Sequence, residues 1–140
     1  MSETSVPAAG ATPMTGDPAE VELRLPADGA YASVLRTLAA GLAARVDFTM
    51  DDIEDLRIAV SEAAAMVLDE AAEGSVLDCV FRLQPGELAI AISAVAGAPE
   101  APDYESFGWQ VLATLAAEAA IDATADTYAV RLTLRSSLES

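Results

Sequence analysis

The sequence predicts an α+β fold, a two-layer sandwich in which a mostly antiparallel sheet packs on helices. Three features predict it. Segments near both ends alternate apolar and polar residues, as half-buried strands do. Two long stretches between them carry apolar residues at helical spacing. Two further strand-like runs are joined by Gln84-Pro85-Gly86-Glu87, with Pro and Gly placed as a type II turn requires. The order along the chain is strand, helix, helix, strand, strand, helix, strand, strand.

Residues 1–18 are mostly Ser, Thr, Pro, Ala and Gly, and are expected to form a disordered N-terminal tail. A single domain is expected over 19–136, with 137–140 a frayed end. In the first strand Val21, Leu23 and Leu25 alternate with Glu22 and Arg24, and Pro26 ends it. Asp28 is placed to cap a helix from about Gly29 to Arg45, with an apolar stripe of Tyr31, Val34, Leu35, Leu38 and Leu42. Arg36 lies off that stripe and, read alone, is a solvated charge.

The longest helix is expected from Thr49 to about Gly74. Thr49 is a good N-cap, and Asp52 can reach back to it as a capping box. Asp51, Asp52, Glu54 and Asp55 place negative charge at the positive end of the helix dipole. Ile53, Leu56, Val60, Ala63, Val67 and Ala71 form the buried stripe, and Gly74 offers a stop. Asp55, Glu62 and Asp69 lie seven apart on another face, and Met66 neighbours Glu62 one turn on.

Val76–Leu83 and Leu88–Val95 follow as the hairpin. A Pro- and Gly-containing loop, 96–103, leads to a helix that starts at Ser106 or Tyr104 and ends near Ala120. Its apolar residues are Phe107, Val111, Leu112 and Leu115, and Trp109 reads as a core or edge aromatic. Ile121–Ala123 is a weak strand. Tyr128, Val130, Leu132 and Leu134 share one face of the last strand.

A chain of 140 residues suits one domain. The formal charge is −16, with no Lys and no His; all seven cations are Arg. Direct nucleic-acid binding and attachment to anionic membranes would need basic groups that the chain largely lacks. The acidity either maintains solubility or suits a basic protein partner. Without His, and with Cys79 as the single cysteine, no Cys/His zinc cluster and no internal disulfide can form. Cys79 reads as a buried thiol. No apolar run is long enough for a membrane span, and no signal peptide is expected. A cytoplasmic location is expected.

Thr49-Met50-Asp51-Asp52, followed by Leu56-Arg57-Ile58-Ala59-Val60-Ser61-Glu62-Ala63, resembles the anti-sigma factor serine kinases (RsbW/SpoIIAB-like) of the GHKL ATPase and kinase superfamily. The resemblance implies the Bergerat fold over roughly residues 20–135, and its specific part is 49–68. In that family the central helix carries a Glu general base and, four residues later, an Asn that holds Mg²⁺. Glu62 matches the base. Met66 stands at the Asn position, and a thioether is a poor Mg²⁺ ligand. The chain contains no Asn anywhere.

The family's Asp-x-Gly-x-Gly box would fall at Ala94-Val95-Ala96-Gly97-Ala98-Pro99, where the Asp is absent and only Gly97 remains. Its Gly-rich phosphate turn would fall at Ser106-Phe107-Gly108-Trp109, which keeps only Gly108. Phe107 and Trp109 read there as packing residues. The resemblance thus leaves Glu62 as a vestigial catalytic base. Met66, Gly97 and Gly108 stand at degraded nucleotide positions, and no protein metal site is expected. No cofactor is expected; Mg-ATP would bind weakly or not at all.

The resemblance implies an anti-sigma factor that sequesters an alternative RNA polymerase sigma factor in a partner-switching stress response, without ATP hydrolysis. A STAS-type anti-anti-sigma protein would release the sigma factor, and homodimers are expected. The alternative is an active ATP-dependent serine kinase that phosphorylates the STAS-type protein. A regulatory module of the same fold with another partner also stays open. A partner-contacting Arg of the family's first helix would fall at Ser33, with Arg36 one turn later.

Overall fold

The computed structural model describes residues 19–138. The expected tail, 1–18, lies outside the described residues, as do 139–140. Among the described residues the order is β1 (Ala19–Pro26), a 3-10 turn (Gly29–Tyr31), α1 (Ala32–Arg45), α2 (Met50–Glu70), β2 (Val76–Gln84), β3 (Glu87–Val95), α3 (Phe107–Leu115), β4 (Glu118–Ala123) and β5 (Thr127–Arg135). The five strands form one sheet in the order β1-β2-β3-β5-β4, and every pairing is antiparallel. The α+β class and the expected order of elements hold.

Alternation in the sequence becomes a buried face. Leu77, Cys79 and Phe81 of β2, Leu88, Ile90 and Ile92 of β3, and Tyr128, Val130, Leu132 and Leu134 of β5 all point into the core. α2 lies over β3 and β5 and packs against both α1 and α3. Its buried residues are Leu56, Ala59, Val60, Ala63, Ala64 and Val67, so the expected stripe holds with Ile53 and Ala71 at its half-buried ends. No polar or charged residue is buried among the described residues. Cys79 is a buried free thiol, pushed up to about 12 first by burial and then by Asp78 beside it.

Gly86 adopts φ +73 in the hairpin turn, the left-handed geometry that a type II turn asks of its Gly. Its N–H donates to the Val46 carbonyl at 3.1 Å, and its carbonyl accepts from the Ser136 N–H at 2.8 Å. The turn is therefore tied to the end of α1 and to the residue after β5.

Four expectations change. Tyr31 and Val34 are exposed; the buried side of α1 is Leu35, Ala39, Ala40 and Ala43, because alanines let α1 approach α2 closely. α2 ends at Glu70, not at Gly74, because Ala71 turns extended and its N–H bonds the Leu68 carbonyl. Gly74, at φ +77, instead shapes the turn into β2. α3 stops at Leu115 rather than near Ala120. The Ala117 N–H bonds the Thr133 carbonyl at 2.8 Å, so alanines with helical propensity are captured by the sheet edge. The weak strand accordingly grows to Glu118–Ala123.

The opposite face of the sheet is open to solvent and carries exposed ion pairs. Arg24 meets Asp78 at 2.8 Å, Arg131 meets Asp122 at 2.6 Å, and Arg135 meets Glu87 and Glu118 at 3.1 and 3.4 Å. Exposed pairs of this kind are screened by water and salt and add little to stability. No described helix is long and apolar enough to cross a membrane.

Candidate functional site

The N-terminus of α2 forms as its residues dictate. The Asp52 N–H donates to the Thr49 hydroxyl at 3.1 Å, and the Thr49 N–H donates back to the Asp52 carboxylate at 2.9 Å. The same carboxylate accepts the Ser137 N–H at 3.0 Å and its hydroxyl at 3.1 Å. Burial would raise the Asp52 carboxyl, but hydrogen bonds from Ser137 and Thr49 outweigh it and hold the group below its ordinary value. The Ser137 link has no signal in the sequence, because the two residues lie 85 apart.

Three turns along α2, Glu62 and Met66 face α3. The Ser106 hydroxyl caps α3 by accepting the Trp109 N–H at 3.1 Å, which settles its start at Ser106 rather than Tyr104. Gly108, in the first turn of α3, lies directly against α2. A Cβ added there would sit 3.1 Å from Glu62 Oε1 and 3.6 Å from Met66 Sδ. The fold thus brings together Glu62, Met66 and Gly108, three of the residues expected at the nucleotide site. The lack of a side chain at Gly108 lets the two helices approach.

What the trio offers chemically is narrow. The Glu62 carboxylate is half-buried and accepts no hydrogen bond from the described residues. It lies beside the N-terminal turn of α3, where unpaired backbone N–H groups and the dipole favour negative charge by about 0.3–1 kcal/mol. That gives Glu62 a structural role that requires no chemistry. Met66 supplies only a soft sulfur, and Mg²⁺ prefers hard oxygen ligands. No group of three or more His, Cys, Asp or Glu among the described residues is placed to hold a metal ion.

Gly97 does not join the trio. It is exposed in the loop after β3, where an added Cβ would meet nothing within 4 Å. The neighbouring Ala98 adopts φ +54, a left-handed conformation that costs an alanine about 1–2 kcal/mol. Ser33 and Arg36 lie on α1, with Ser33 exposed and Arg36 half-buried; Arg36 forms no ion pair with the described residues. Trp109 packs partly against the core, edge-on to Tyr104 at 4.9 Å between ring centres. Phe107, expected to pack, is instead 78% exposed. The cap at Ser106 sets the helix phase, so that Gly108 and Leu112 turn inward and Phe107 outward.

No protein-family model matches the chain. The Serine-protein kinase RsbW of Halalkalibacterium halodurans is 36% identical over 77 residues, which cover 54% of this chain and 48% of that protein. The protein of the same name from Bacillus thuringiensis is 36% identical over 76 residues, covering 53% and 48%. The chain therefore spans about half the length of the curated relatives it matches. A crystal structure of RsbU and RsbW domains from Mycobacterium tuberculosis superposes with a TM-score of 0.65 at 19% identity, over 84% of this chain and 32% of that one.

Proposed function

We propose, from the premise that the chain is RsbW-like in sequence and fold, that it sequesters an alternative sigma factor of RNA polymerase by binding alone. One observation carries the ATP-independent part. The first turn of α3 rests on Glu62 and Met66, with Gly108 packed close against both. A nucleotide reaching Glu62 would have to displace that turn, and Met66 would offer its metal nothing hard to bind. A charge-assisted hydrogen bond is worth about 1.5–3 kcal/mol, so a site without several of them has no useful affinity.

Sequestration needs only a surface. The net charge of −16 favours a partner with a basic surface, such as the DNA-contacting face of a sigma factor would offer. Release then falls to a STAS-type anti-anti-sigma protein that competes for the chain, in the cytoplasm, with the chain acting as a homodimer. Ser33 and Arg36 on α1 are the first partner-facing residues to test.

A second reading is an active serine kinase acting on the STAS-type protein. The relatives bear the name Serine-protein kinase, and Glu62 occupies the position of a base. Titration calorimetry with Mg-ATP, together with sigma-factor pull-down with and without Mg-ATP, separates the readings. Capture in both conditions with no heat of nucleotide binding is expected. Phosphotransfer to a serine of a STAS-type protein at millimolar ATP would overturn the ATP-independent reading in favour of the kinase.

A further inference from the structure

One flank of α3 is apolar, with Phe107 exposed and Val111 and Leu115 half-buried, where the edge of a surface helix is ordinarily polar. Phe107 is 78% exposed, and Tyr104 just ahead of the helix is 50% exposed. Phe107, Val111 and Leu115 recur one turn apart and, with Gln110 and Thr114, line a shallow groove of about 260 Å³. α3 itself carries no ionisable side chain.

The carboxylates that flank this stripe along the chain outnumber the cations. Asp103 and Glu105 precede α3, Glu118, which pairs with Arg135, follows it, and no Lys or Arg occurs between Arg82 and Arg131. On α2, Asp55 and Asp69 lie seven residues either side of Glu62 and share its face, and Glu62 meets Gly108. Tyr104 belongs to the same edge. Burial, then Glu70, Tyr104 and Asp69 nearby, push the Tyr128 phenol up.

This charge pattern selects the occupant. A second copy of the chain would bring one acidic rim against another, and nucleic acid or an anionic membrane would be repelled in the same way. A helix with its own apolar stripe and flanking Lys or Arg would bury Phe107, Val111 and Leu115 while neutralising the rim. We infer that α3, with the acidic face of α2 beside it, is a docking groove for a basic amphipathic helix of a partner protein. As a surface for the sigma factor, the groove rests on the sequestration reading; as a binder of basic helices, it is tested independently of it.

Trp109 is the single tryptophan of the chain and sits in the first turn of α3 beside the groove, so its fluorescence, together with titration calorimetry, follows peptide binding. The probe is a Leu/Lys peptide patterned as an amphipathic helix, titrated at physiological salt. The controls are a peptide of the same composition with scrambled order and a Leu/Glu peptide of the same pattern. Only the Leu/Lys amphipathic peptide should bind. Phe107→Ser should weaken it about tenfold, as truncation of an aromatic anchor does. Thr114→Arg, an exposed change that sets a cation in the groove, should weaken it similarly, whereas Val34→Ser on α1 should change nothing. Equal binding of the scrambled peptide, equal binding to Phe107→Ser and Thr114→Arg, or no binding at all would overturn the inference. In sigma-factor pull-down, capture by the wild type and equally by both groove variants also overturns it, leaving sequestration intact. If the wild type captures no sigma factor, the sequestration reading fails, and the peptide titrations alone decide the groove.

Discussion

The two halves of α2 are held in different ways. At its start, Thr49, Asp52 and Ser137 close a dense set of hydrogen bonds on one carboxylate. In its middle, Glu62 accepts no hydrogen bond from the described residues, and α3 is held there by close approach at Gly108 and by burial of Leu112. One end is specified by polar geometry and the other by packing. A cap is written in nearby residues, whereas the surroundings of a carboxylate further along the same helix are set by a neighbouring helix. The cap needs only residues near in sequence, plus one late serine. The space around Glu62 is left or filled by a different helix.

The largest effect should come from breaking the packed half. Leu112→Ala removes the fully buried anchor of α3 and should cost about 2–5 kcal/mol. Urea denaturation followed by circular dichroism would show this as a lower midpoint. An unchanged midpoint would mean that α3 is not held by its core packing.

Next is the polar half. Asp52→Ala removes the capping box and the Ser137 link, and should cost about 1–2 kcal/mol at neutral pH. Because the folded carboxyl lies below its unfolded value of about 3.9, its contribution is fully present above that pH. It is lost as pH falls through the lowered folded value. The stability gap between wild type and Asp52→Ala should therefore narrow below about pH 4. A gap that stays constant from pH 7 to pH 2 would remove Asp52 as its source.

The smallest effect separates structure from chemistry at the middle. Glu62→Gln keeps the shape and removes the charge beside the N-terminus of α3, which should cost about 0.3–1 kcal/mol. Sigma-factor capture should be unchanged. Loss of capture with unchanged stability would give Glu62 a direct part in function rather than in holding α3.

Much of the fold is legible along the chain. The capping box at Thr49 and Asp52, the stripe from Leu56 to Val67 and the alternation of Tyr128 to Leu134 all rest on local periods, and all hold. The differences fall where local preference meets a distant element. Ala117–Ala120 favour a helix locally but join the sheet because β5 presents an open edge. Gly74 is not the helix stop because Ala71 turns first. Phe107 reads as a packing residue by its size, but the Ser106 cap turns it outward.

By itself the sequence determined the order of elements, the α+β class, the caps and the charge of −16, because these follow from neighbours in the chain and from simple composition. It also determined which residue types stand where the resemblance would place a nucleotide site. Only the tertiary structure decided that Glu62, Met66 and Gly108 meet, that Gly97 stands apart and that an apolar stripe with an acidic rim is left on α3. The approach of α2 to α3 depends on how two helices lie on one sheet. That arrangement is set by the summed packing of many residues far apart in sequence, and no local pattern encodes it.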